Sequence, residues 1–219
     1  MPPGRRLLLL AACAAIPRSV ALAAPEPTPA QAAAFVRQAG NELAAIIDAP
    51  ATPAARRRQI GLFLDRVVDI PAVARFCLGR FWRRATPAQQ AEYEHLFHGI
   101  LLDSVMARVG DYRTPQGGGP AQGMHVAIGH AEPRGGDIYI PTTVARPGAP
   151  PAQVTWVVRP EPTGPRIVDL IAEGTSLRIT VRADYASFLN RHAGSLPALF
   201  AAMRQQITAA EAAPSVGGR

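Results

Sequence analysis

Apolar positions along this chain fall into two regimes. From about residue 28 to 110 they recur every three or four residues, the period of a helix with one buried face. From 124 to 172 they alternate, the period of a half-buried strand. The first helix begins near Thr28 with Pro29 in its first turn, and Phe35, Val36, Ala39, Leu43, Ile46 and Ile47 form its apolar stripe. Thr52-Pro53 repeats the start, ahead of Ile60, Phe63, Leu64, Val67 and Val68. Asp69 before Pro71 opens a short third helix to about Leu78, closed by Gly79. Thr86-Pro87-Ala88-Gln89 reads as a capping box, in which the threonine and glutamine side chains each satisfy a backbone N–H of the other. The long helix behind it buries Leu96, Phe97, Ile100, Leu101, Val105 and Val109.

Residues 115–123, PQGGGPAQG, read as a loop. Four strand-like segments follow, at 124–130, 137–145, 153–159 and 166–172. Their close spacing favours antiparallel hairpins over helical crossovers. Ile138, Ile140, Thr142 and Val144 share one face of the second segment; Val154, Trp156 and Val158 share one face of the third. Gly174 ends the sheet, and Thr175 or Ser176 caps a helix with Leu177, Val181, Tyr185, Phe188 and Leu189 inside. A last helix is expected from about Leu196 to Ile207. Helices, then strands, then helices make an α+β fold with a sheet of about four strands. One domain, 31–207, is expected, followed by a flexible tail at 208–219.

The start of the chain has a different character. Arg5-Arg6, the ten apolar residues from Leu7 to Ile16, and Ala21-Leu22-Ala23 are the charged, apolar and cleavage parts of a signal peptide over residues 1–23. Residues 24–30, APEPTPA, form a proline-rich linker. Export to the periplasm follows. Leu10-Ala11-Ala12-Cys13 also resembles a lipoprotein processing box, which would anchor the chain at Cys13, and Arg5-Arg6 leaves a twin-arginine route open. No later stretch is long and apolar enough for a membrane helix.

Composition removes several chemistries. All 23 basic residues are arginine. Without lysine there is no P-loop, no Schiff base and no kinase-type nucleotide lysine. After cleavage at Ala23 the chain holds 20 arginines against 16 acids, a modest positive balance. Arg56-Arg57-Arg58 is the one basic run, and it lacks the interleaved aromatics of a nucleic-acid surface. Cys77 stands alone in the mature chain, so no internal disulfide forms, and a small buried apolar role fits it. Glu92, His95 and His98 have carboxylate-metal spacing but no second copy on another helix. His125 and His130 fall on opposite strand faces. Ser176 lacks the glycine two residues on that a nucleophile elbow needs. No catalytic residue, metal or cofactor is expected.

Two stretches carry a resemblance. Residues 78–97, LGRFWRRATPAQQAEYEHLF, and 166–189, RIVDLIAEGTSLRITVRADYASFL, are similar to the two signatures of the MlaC family, also called the toluene-tolerance family. The likeness spans about residues 31–207. It departs at Pro165, where the family usually has tryptophan, and at Trp156, where tyrosine is common. The resemblance implies a twisted antiparallel sheet and helices enclosing a phospholipid's acyl tails in an apolar pocket. It also implies a periplasmic carrier between an outer-membrane lipoprotein complex and an inner-membrane ABC transporter, maintaining outer-membrane asymmetry. A hopanoid-type lipid, or an adaptor role without bound lipid, stays open.

A carrier of this kind must hide hydrocarbon. Exposing each methylene costs about 0.8 kcal/mol, so a sixteen-carbon tail costs on the order of 13 kcal/mol. Candidate lining residues are Ile100, Leu101 and Val105 on the long helix, with Ile138, Ile140, Val154, Trp156, Val158 and Leu170 on the strands. The same residues would equally serve as ordinary core. Arg80, Arg83 and Arg84 beside Trp82 form either a solvated face or a contact for an acidic partner or anionic headgroup. Trp82 reads as a buried anchor, and Asp169 with Arg182 as a structural contact at the strand–helix junction.

Overall fold

A computed structural model describes residues 27–111, 125–146 and 149–212. The leader and the loop expected at 115–123 lie outside the described residues. Four helical segments open the domain: α1 (Pro29–Asp48), α2 (Pro53–Val67), α3 (Ile70–Leu78) with a 3₁₀ turn at Gly79–Arg84, and α4 (Pro87–Asp111). Their starts follow the sequence signals. The hydroxyls of Thr28 and Thr52 accept from the backbone N–H of Gln31 and Ala55, and the Asp69 carboxylate accepts from Ala72. Thr86 and Gln89 close the expected box, each side chain bonding the other's backbone. Gly79 takes φ +58°, a left-handed value that favours glycine at this helix end.

The sheet follows: β1 (His125–Ile128), β2 (Glu132–Arg134), β3 (Asp137–Arg146), β4 (Ala149–Arg159), β5 (Arg166–Ala172) and β6 (Thr175–Ser176). Every pairing is antiparallel, in the order β1-β3-β4-β5-β6, with β2 also on β3. The first expected strand thus ends at Ile128, and a further short one pairs beyond it. Between them Gly129 donates to the Pro141 carbonyl at 2.8 Å. A Cβ on Gly129 would stand 3.0 Å from the Pro141 ring, so the close approach needs glycine there. Helices α5 (Leu177–Arg191) and α6 (Leu196–Ala212) complete the domain. The last helix runs past Ile207 because Thr208 to Ala212 continue it and Glu211 reaches Arg57 of α2.

Helix α1 lies against β3, while α4 lies mainly against α6, α3 and α2. Small buried residues, Ala32 and Ala39, line α1. An isolated bridge, Val68 to Ile167, ties the end of α2 to β5. At the other edge of β5, Val157 pairs with Asp169 and Val158 with Ile167, leaving Val168 as a bulge. No described helix is long and apolar enough to cross a membrane.

Candidate functional site

One face of the sheet carries the six strand candidates together. Register sets Ile138 opposite Val158, Ile140 opposite Trp156, and Trp156 opposite Leu170. Thr142 faces Val154 in the same row. Directly opposed side chains on one face touch, so this is one continuous surface. Its only polar interruption is managed internally. The Trp156 indole N–H donates to Thr142 Oγ1 at 3.1 Å, and that hydroxyl donates to the Val154 carbonyl at 2.8 Å. Thr142 is 2% exposed, so its hydroxyl would be costly without these bonds.

Burial along this face is graded. Ile138, Ile140 and Val158 are buried within the main core. Val144, Val154, Trp156 and Leu170 are half-buried. The helices grade in the same way. Along α1, Ala32, Val36 and Ala39 are buried, while Leu43, Ile46 and Ile47 are half-buried. Along α4, Tyr93, Leu96 and Phe97 are buried, while Ile100, Leu101, Val105 and Met106 are half-buried and Leu102 between them is buried toward Gly61 of α2.

These half-buried stretches lie alongside α2. Arg66, near the end of α2, pairs with Glu42 of α1, and Asp65 lies 3.0 Å from His98 of α4. Arg56, near the start of α2, donates to the Ala49 carbonyl, and Arg57 pairs with Asp103 of α4. Both α1 and α4 therefore run antiparallel to α2, and their C-terminal halves run along it, from Glu42 and His98 at its end to Ala49 and Asp103 at its start. The sheet is tied to the opposite end of α2 through the Val68–Ile167 bridge. Buried Ile138, Val158 and Ile167 are paired across strands at that tied end. Half-buried Val154, Leu170 and Val144 lie further along the strands from it.

The nine candidates thus divide. Three lie in packed core, and six lie on half-buried aliphatic surface. Leu43, Ile46, Ile47 and Met106 were not singled out as lining. The first three carry the required signal, an aliphatic stripe continuing past the alanine-rich part of α1. A cavity of about 490 Å³ lies at the tied end, lined by Asp65, Asp69, Glu161 and Arg166 among others. Its carboxylates make it a poor host for hydrocarbon, whose burial there would strip them of water.

The other residues weighed from sequence separate. Glu92 pairs with Arg204 of α6, His98 approaches Asp65, and His95 is exposed, so the three do not converge. Cys77 is 1% exposed; burial, with Asp169 nearby, pushes its thiol up to about 12. Asp169 is held by α5. Its carboxylate accepts from the N–H groups of Leu170 and Arg178 and from the Ser176 hydroxyl, with the Arg178 guanidinium 3.4 Å away. The expected partner, Arg182, instead lies over the Phe76 ring and donates to the Phe76 carbonyl. Leu177, expected inside, is exposed at the end of the edge strand β6. Trp82 is half-buried, edge-on to Tyr93 with ring centroids 6.4 Å apart.

Such an arrangement defines a domain with a sealed aromatic end and an open aliphatic one. The chain belongs to the MlaC family, whose model, described as MlaC protein, matches residues 29–205. Among solved structures it is similar to the phospholipid-binding protein from Ralstonia solanacearum, determined in complex with a phospholipid. The two share 20% identity and superpose with a TM-score of 0.69, over 83% of this chain and 99% of that one. At that identity the likeness establishes the fold. A comparison with curated proteins gave no match.

Proposed function

We propose that this chain is a periplasmic lipid carrier, binding phospholipid without transforming it. The observation that carries the reading is the half-buried aliphatic surface of β3–β5, α1 and α4, in a domain of the MlaC family. The relative from Ralstonia solanacearum, which has the same fold, is described as bound to phospholipid. Val105, Leu101 and Ile100 supply the helical side of the lining, and Val154, Trp156 and Leu170 the strand side. Ile138, Ile140 and Val158 form its floor. Acyl tails seated there leave water, while the headgroup stays outside. A signal peptide at residues 1–23 delivers the chain to the periplasm. It receives phospholipid from, and passes it to, an outer-membrane lipoprotein complex and an inner-membrane ABC transporter.

Organic extraction of the purified protein followed by mass spectrometry tests this. Near-equimolar phospholipid is the expected result, and Val154→Asp with Leu101→Asp should abolish it. Hopanoid in place of phospholipid would move the substrate class. A lipid-free protein that takes up none from vesicles would overturn the carrier reading and leave an adaptor. Time-dependent lipid breakdown would show a hydrolase.

A further inference from the structure

Two groups of arginines contrast, apart from Arg37, Arg56, Arg58, Arg108, Arg166 and Arg191. Arg57, Arg66, Arg134, Arg159, Arg178 and Arg204 each pair with a carboxylate. Arg75, Arg80, Arg83, Arg84 and Arg182 are exposed, and none has a carboxylate partner among the described residues. These five stand together. Helix α3 packs on α5 and runs into the 3₁₀ turn. Arg80 donates to Asn190 of α5, and the Arg182 guanidinium lies against Gly79, where a Cβ would stand 3.4 Å from it. Four of the five guanidiniums, all but that of Arg83, lie over rings. Arg75 is 5.1 Å from the Trp82 centroid, Arg80 4.9 Å from that of Phe81, and Arg182 4.8 Å from that of Phe76. Asp184, two residues after Arg182, projects from the far side of the helix.

We infer that this face docks the protein on a bilayer surface containing anionic phospholipid. Cations that stack on rings keep their N–H edges free for phosphate oxygens. They are spread over three elements, matching a two-dimensional array of headgroups better than a single carboxylate. Ile179 adds a second feature. It is 58% exposed, three residues before Arg182 on the same helix, with exposed Leu177 nearby. Apolar tips among cations suit the boundary between headgroups and acyl chains. An acidic protein is the competing occupant, but it would need carboxylates spread over all three elements to engage the same cations.

Co-sedimentation of the purified protein with vesicles tests the inference. Binding is expected to phosphatidylglycerol–phosphatidylcholine vesicles, to be absent from pure phosphatidylcholine, and to fall at high salt. Each arginine near the surface contributes about five-fold. Joint Arg75→Gln, Arg83→Gln and Arg182→Gln should therefore cost about 100-fold. Joint Arg66→Gln, Arg134→Gln and Arg204→Gln removes the same net charge elsewhere and should cost about two-fold at most. Arg83→Glu, at an exposed side chain, changes the charge by two and gives a second readout if the first triple fails to fold, with about 25-fold loss expected. Equal loss in both triples would show a net-charge effect and overturn the assignment. So would failure of the parent protein to bind anionic vesicles, leaving an acidic protein as occupant. Docking does not require a lipid-filled interior, so this test and the extraction fail separately.

Discussion

The two ends of the core are built from different side chains. At the sealed end Tyr93 is fully buried, with Phe97, Tyr185, Phe200 and Trp82 around it at centroid distances of 5.9 to 6.4 Å. Its hydroxyl donates to the Ala74 carbonyl at 3.0 Å. At the open end the half-buried residues are Val, Leu, Ile and Met, with Trp156 the one aromatic ring. Rings in edge and tilted contacts fill space and lock one arrangement. Aliphatic chains with free rotamers leave a surface that can reshape around a flexible tail. The contrast shows how one domain can hold its fold at one end and keep the other available.

The sharpest way to break this contrast is to empty the sealed end. Tyr93→Ala removes the central ring and should cost about 3–5 kcal/mol, read from the urea midpoint. A loss under about 1 kcal/mol would mean that the cluster does not anchor the fold. A matched pair then compares the ends on one sheet face. Val158→Ala, at a fully buried site, should cost about 2–3 kcal/mol, and Val154→Ala, half-buried on the same strand, under about 1 kcal/mol. Equal costs would erase the distinction between packed core and open surface.

Cys77 probes the sealed end through pH. Its ordinary value is 9.0 and its folded value is pushed up to about 12 by burial first and by Asp169 second. The folded state therefore keeps the proton that the unfolded state loses. This contribution is fully present below about pH 9 and is lost as pH rises toward 12. The loss runs at about 1.4 kcal/mol per pH unit inside that window. Cys77→Ala should flatten this part of the alkaline denaturation curve. An unchanged slope would show that the thiol is solvated in the folded protein.

Local chemistry was legible in the sequence and distant packing was not. The caps at Thr28, Thr52, Asp69, Thr86 and Ser176 depend on residues within one helical turn, so spacing reveals them. Strand alternation likewise placed Ile138, Ile140, Val154, Trp156 and Val158 on one face. Arg178 and Arg182 sit four residues apart on one helix, and spacing alone cannot choose which meets Asp169. The choice falls to Arg178, whose backbone N–H also bonds that carboxylate. The break at Gly129 is likewise set by Pro141, twelve residues away. The grading of the candidate surface was hidden for the same reason. Periodicity names an apolar face, but which part of it is covered depends on where α1 lands on β3.

The smallest expected effect tests how the boundary between the two ends is held. Thr142→Val keeps the side chain's shape and removes its hydroxyl. The Trp156 indole N–H then loses its acceptor, and the Val154 carbonyl loses one donor. A net cost of about 1 kcal/mol is expected, because half-buried Trp156 can recover part of its bonding from water. Stability alone would not separate a lost bond from altered packing. The indole provides the second readout: freed from Thr142, Trp156 should become more accessible to acrylamide quenching and its emission should shift to the red. Running both proteins in a Trp82→Phe background isolates that signal. Unchanged quenching with unchanged stability would mean that the hydroxyl does not fix the ring, and that strand packing alone sets where the sealed end stops.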